Sequence, residues 1–250
     1  MSSWVHGHLL PALLAAHLLG DFLLQPDGMV AGKKRLPVLG LHALVHGVLV
    51  YVLVGWWGEY RLPLAVAVLH GAVDFTKARV RDPKAATFFV DQIAHGAILA
   101  ALALIWRPIA EPAGFWTGCA WCDRALIIVS GGIICVRASA IAIGFWVAPY
   151  LGELEAHRAR TPSARFDIRG LTTGGRIIGQ WERTLIFLFI GAGQPAAVGF
   201  LVAAKSIFRF GELKDRENRM EAEYITIGTL MSFGVACAVS FLTFWVARRW

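Results

Sequence analysis

Seven apolar stretches of roughly twenty residues, set apart by short charged segments, leave this chain few ways to fold. They run over 7–25, 37–57, 62–80, 85–107, 124–150, 182–209 and 224–247. A helix needs about 20 such residues to cross the hydrocarbon core of a bilayer. Composition points the same way: 57% of residues are hydrophobic and 16% charged, against about 45–50% and about 25% in soluble domains. A soluble core could not hide that much apolar surface, and the same figures exclude disorder, collagen and coiled coil. The expected fold is all-α, a polytopic transmembrane helix bundle of six to seven spans forming one integral membrane domain over 1–250. No basic region and no small-residue cleavage site precede the first apolar run, so that span is expected to stay in place.

The scarce charges are not evenly spread. Lys33, Lys34 and Arg35 fall in segment 26–36, Arg79, Arg81 and Lys84 in 78–84, and Arg158, Arg160, Arg165, Arg169 and Arg176 in 151–181. Segment 58–61 has only Arg61, and 108–123 has no Lys or Arg. This alternation places the three basic loops in the cytoplasm and the N-terminus outside. Trp56, Trp57, Trp106, Trp116 and Trp121 then mark the outer interface. The net charge of +7 is a loop property of this kind; without a basic amphipathic stripe or base-reading motif it does not imply nucleic acid. Segment 182–209 is interrupted by Gly191, Gly193 and Pro195, while 205–223 carries Lys205, Arg209, Lys214, Arg216 and Arg219. It either crosses once with a kink or re-enters as two half-helices. Re-entry is preferred because it keeps those charges on the cytoplasmic side.

Chemistry is concentrated in the first four spans. Each holds two metal-ligating residues four positions apart: His17 and Asp21 in HLLGD, His42 and His46 in HALVH, His70 and Asp74 in HGAVD, Asp91 and His95 in DQIAH. Residues i and i+4 share a helix face about 6 Å apart along the axis, so each pair can aim two ligands at one centre. Given the orientation above, every pair lies in the cytoplasmic half of its span. Residues 1–107 therefore read as a four-helix His/Asp site, with 108–250 supplying supporting spans and cytoplasmic loops. Five imidazoles and three carboxylates suit one or two divalent ions, zinc foremost. A single pair would be ordinary interhelical glue. Four pairs at one spacing and one depth are better explained by a metal or proton site, because ionisable groups in lipid are costly and usually functional. Bis-His haem fits less well, since His42 and His46 share a helix.

Other features weigh less. Cys119 and Cys122 form CAWC without a second pair, which argues against a zinc knuckle and leaves chance or a local disulfide on the outer face. Cys135 and Cys237 read as packing residues. Glu182, Arg183, Lys205 and Arg209 are either snorkelling interfacial charges or a charged lid over the mouth of the metal pocket.

The strings HLLGDFLLQ, HALVHG, HGAVDFTK and FFVDQIAHG, followed by AAKSIFRFGELKD and AEYITIGTLMSF, resemble a bacterial inner-membrane family catalogued as domain of unknown function 3307. The likeness runs along nearly the whole chain and implies a multi-pass protein of the bacterial inner membrane. It draws attention to His17, Asp21, His70, Asp74, Lys77, Asp91, His95, Lys205 and Arg209. The His/Asp spans are also similar in style to inner-membrane metal-dependent hydrolases.

The functional expectation is a metal-dependent membrane hydrolase acting on an ester, phosphoester or amide of a lipid or amphiphile. His17, His42, His46, His70 and His95 would ligate, with some of Asp21, Asp74 and Asp91, and a remaining aspartate would act as general base. Lys77, Lys205 and Arg209 would hold anionic groups of the substrate. The rival expectations are a divalent-cation or proton transporter, which needs a polar path to the outer face, and a metal-responsive scaffold, which needs an output module. Membrane lipids are the expected surroundings, nucleic acid is not a partner, and a homo-oligomer is left open.

Overall fold

The computed structural model describes residues 3–80, 85–108, 116, 119–160, 174–209 and 219–250. It divides into two compact units, Met1–Ile133 with Val246–Trp250, and Ile134–Trp245.

The first unit is built from α1 (Ser3–Phe22), α2 (Asp27–Gly32), α3 (Leu36–Val54), α4 (Arg61–Lys77), α5 (Ala85–Ile105) and α6 (Ala120–Ile133). α1 packs against α3, α5 and α6, α3 packs against α4, and α4 against α5. Pro37 starts α3, where a missing N–H costs nothing, and Gly55 ends it in the left-handed region with φ 68°. The Trp116 indole packs over Gly55 and donates to Val52 O at 2.9 Å.

Side-chain placement in this unit is the reverse of a soluble bundle. His42 and His46 of α3 are fully buried, whereas Leu41, Leu44, Val48 and Val52 face outward. α4 buries His70 and Asp74 and exposes Leu64 and Val68; α5 buries Asp91 and His95 and exposes Val90 and Ile93. An apolar exterior around a polar interior is what lipid as solvent selects.

The second unit begins with a π-helical turn, Ile134–Ala138, and continues with α7 (Ser139–Arg160), α8 (Gly174–Gly191), α9 (Ala196–Arg209) and most of α10 (Arg219–Arg249). The buried stripe of α8 is Glu182, Arg183, Ile186, Phe187 and Ile190. Segment 182–209 is therefore not one kinked helix. α8 stops in a Schellman turn: Gln194 N–H bonds Phe189 O at 2.8 Å and Gly193 N–H bonds Ile190 O at 3.1 Å. Gly193 sits at φ 72°, and Pro195 then cannot continue the first helix. Gly193→Ala is expected to cost about 1 kcal/mol, measured as a fall in melting temperature in detergent.

All described regular structure is helical. Among the described residues, four helices are long and apolar enough to cross a membrane: Leu36–Val54, Ala85–Ile105, Trp121–His157 and Met220–Arg249. The six to seven crossings expected from sequence are thus matched by four. α4 has 17 residues, and α8 carries Arg176, Glu182 and Arg183. Boundaries also differ. The helix expected to end at 150 runs through α7 to Arg160, and helix resumes at Gly174 within what reads as a loop. The basic segment after the first span contains the short α2. Apolarity finds spans but not the polar turns that extend them. Arg81, Lys84, Arg165, Arg169, Lys214 and Arg216 lie outside the described residues. The Cys119 and Cys122 sulfurs are bonded to each other, and Cys135 and Cys237 are free.

Candidate metal centre

Helix direction sets the depth of the pocket. In α1 the apolar Leu9 and Leu13 precede His17 and Asp21; in α3 Val50 and Val54 follow His42 and His46. In α4 Leu62 and Val66 precede His70 and Asp74; in α5 Leu99 and Leu102 follow Asp91 and His95. Those eight apolar residues belong to one buried core cluster. Successive helices thus bring all four pairs to one level, with the apolar core filling the other end. Every pocket histidine is at most 5% exposed, and Asp74 and Asp91 are 1% and 4% exposed.

The tightest part surrounds Asp21. Its Oδ1 lies 3.1 Å from His42 Nε2, 3.1 Å from His46 Nε2 and 3.5 Å from His70 Nε2. His42 Nε2 and His70 Nε2 are themselves 3.1 Å apart. Zinc bonds of about 2.0–2.2 Å at tetrahedral angles separate neighbouring ligand atoms by roughly 3.3 Å. The separations here lie close to that length. Protons account for them less well, since two ring nitrogens face each other while both turn toward the same carboxylates.

Two further groups overlap this one. His17, Asp21 and His95 bring ligand atoms within 4.8 Å of one another, as do His70, Asp74 and His95. Asp21 thereby belongs to two groups: its Oδ1 serves the first, and its Oδ2 faces His17 Nδ1 at 3.8 Å. Asp74 Oδ2 lies 3.2 Å from His42 Nε2 and 3.4 Å from His70 Nε2. His17 Nδ1, His46 Nδ1, His95 Nε2 and Asp74 Oδ1 are buried without a hydrogen-bond partner. Buried polar atoms are rarely left so, and a divalent cation would satisfy several at once. Donor set, spacing and unmet bonding all fit a metal ion.

Asp91 stands apart from these groups. Its Oδ2 accepts from Lys77 Nζ at 2.6 Å and from Gln92 Nε2 at 3.0 Å. Its Oδ1 is buried without a hydrogen bond, 3.6 Å from His95 Nδ1. His95 Nδ1 donates instead to Asp91 O at 2.9 Å, which leaves Nε2 as its ligating atom.

Besides Gln92, three residues enter the pocket that the spacing argument does not select. Lys33 reaches back from the turn after α2 to place Nζ 2.6 Å from Asp74 Oδ2. Gln25 Nε2 lies 3.3 Å from His42 Nε2. Gly20 allows the His46 ring against the α1 backbone, where any Cβ would collide with the imidazole. Lys33 looks like an orientation charge in the sequence; only its place three residues from a helix start hints otherwise. At the opposite end, beyond the apolar core, buried His8 pairs through Nδ1 with Asp123 of α6, and its Nε2 contacts Val54 O at 3.2 Å. In the second unit Lys205 Nζ bonds Glu182 at 2.7 Å. The side chain of Arg209 lies outside the described residues.

Comparison with curated proteins and with solved structures returns no match. A family model does match, over residues 9–116; the later strings AAKSIFRFGELKD and AEYITIGTLMSF fall beyond it. That model, which spans the stretch carrying all eight pocket residues, is described as Protein of unknown function (DUF3307).

Proposed function

We propose that this protein is an integral membrane hydrolase that uses one or two divalent ions, zinc by preference. Its substrate is an ester, phosphoester or amide of a lipid or amphiphile, reached from the cytoplasmic leaflet of the bacterial inner membrane. The observation that carries the reading is the set of three imidazole nitrogens and one carboxylate oxygen at 3.1–3.5 Å around Asp21. A divalent ion bound there would supply Lewis acidity and lower the pKa of water beside it.

The residues divide the work. Asp21, His42, His46 and His70 form the tightest ligand set, and His17, Asp74 and His95 extend it toward a second position. Asp91 is the general base: it lies outside the ligand groups, and its Oδ1 is free to accept a proton. Lys77 holds Asp91 in place and, being 35% exposed, also faces an incoming anionic group. Transport is less well supported. The apolar cluster of α1, α3, α4 and α5 fills the end away from the pocket, where a permeation path would need polar groups.

The test is elemental analysis of purified full-length protein, followed by turnover of p-nitrophenyl laurate and p-nitrophenyl phosphocholine in phosphatidylethanolamine/phosphatidylglycerol vesicles. Wild type is expected to carry one or two equivalents of metal, and His70→Ala below about a tenth of that. Asp91→Asn keeps the metal and loses about a hundredfold or more in rate. Metal-free wild type, or metal flux without turnover, would sink the proposal.

A further inference from the structure

The second unit contains a cavity of about 820 Å³ among α7, α8, α9 and α10, within the size range of small-molecule sites. Its walls are mostly hydrocarbon, with Ile143, Val147, Ile178, Leu201 and Ile225 among them. Gly144, Gly179 and Gly228 keep the lining thin.

One wall carries a buried arginine with no hydrogen-bonded anion. Arg183 is 4% exposed and lines the cavity. Its guanidinium donates to Ser232 Oγ at 3.1 Å and to Val136 O at 3.0 Å, both neutral acceptors. Val136 lies in the π-helical turn. The Arg183 Nε is buried with no hydrogen-bond partner. The adjacent Glu182 attracts it through space but makes no hydrogen bond to it: both Glu182 oxygens lie 2.7 Å from Lys205 Nζ. No carboxylate forms an ion pair with Arg183 among the described residues. Gly179 makes room for the group: a Cβ there would stand 3.2 Å from a guanidinium nitrogen.

A buried guanidinium with no hydrogen-bonded anion is costly. Such a group persists where an anion arrives from outside. We propose that this cavity binds a single-chain amphiphile with an anionic head, a carboxylate or a phosphate, whose head pairs with Arg183 and whose acyl chain lies along the apolar wall. The planar fork of arginine suits either head in a two-bond contact. The site uses none of the His/Asp residues and is independent of metal in the first unit.

The test is competition for cis-parinaric acid on full-length protein in dodecyl maltoside with EDTA present throughout. Oleate and oleoyl lysophosphatidate compete as the two anionic arms, and monoolein competes as the uncharged analogue. At least one anionic arm is expected to bind about tenfold or more tightly than monoolein, and the better arm identifies the head group. Arg183→Gln should reduce that preference to about twofold or less. Gly144→Leu, at a position where a Cβ meets nothing within 4 Å, should weaken all three ligands by filling the cavity. Equal binding of charged and uncharged ligands to wild type overturns the proposal. So does a preference that survives Arg183→Gln, or, should that variant not fold, binding that survives Gly144→Leu.

Discussion

Asp21→Asn is expected to empty the His/Asp centre more completely than any other single change. Asp21 is shared by two ligand groups, and its Oδ1 is the common neighbour of His42, His46 and His70 at 3.1–3.5 Å. An amide keeps the size but removes the negative charge that draws a cation into a low-dielectric site. Metal content should fall from one or two equivalents to below about a tenth of an equivalent; even outer-shell losses cost 10–100-fold in affinity. Elemental analysis reads this directly, with Asp91→Asn as the control that retains metal. Near-normal metal in Asp21→Asn would mean that this carboxylate only accepts protons from its neighbours and that the metal is held by the other groups.

The second large effect is expected at a residue with no side chain. Gly20 lies where the His46 imidazole crosses the α1 backbone, and any Cβ at that position would overlap the ring. Gly20→Val must push His46 away from Asp21 or open the α1–α3 contact. Overpacking of this kind costs about 1–3 kcal/mol, and displacing one ligand should weaken metal binding at least tenfold. Gly96→Ala on α5 is the matched control, since a Cβ there meets nothing within 4 Å. Melting temperature and metal content measured together separate the outcomes. If Gly20→Val loses stability but keeps full metal affinity, the ring contact is packing alone and His46 is not a ligand.

The pocket was legible in the sequence to the extent that helical periodicity determines it. His17 and Asp21, or His70 and Asp74, face one way because four residues make just over one turn, and the orientation set by the basic loops gives the depth. Periodicity does not reveal which pairs share a carboxylate, so the separation of Asp91 from the ligand groups emerges only from the packing of α5. Lys33 was illegible for another reason: its reach to Asp74 depends on the turn after α2. The His8–Asp123 pair joins residues 115 apart, a contact no local pattern encodes. In the second unit, Gly191, Gly193 and Pro195 announced a break in the helix. The buried state of Arg183 did not follow from its position at a span end, because a π-helical turn supplies one of its acceptors.

Two lysines of the first unit, Lys33 and Lys77, set the electrical balance of its pocket. Asp21, Asp74 and Asp91 face Lys33 and Lys77, so with neutral imidazoles the metal-free centre carries a single net negative charge. One divalent ion inverts that to a single positive charge, and a second would leave the surplus at three. Charge of that size is not sustained in a lipid-surrounded interior. Full loading therefore requires either that the ammonium groups swing outward or that anions enter with the metal. A centre filled in this way would gain affinity for negatively charged molecules, and a phosphate-bearing or carboxylate-bearing substrate would complete its charge balance.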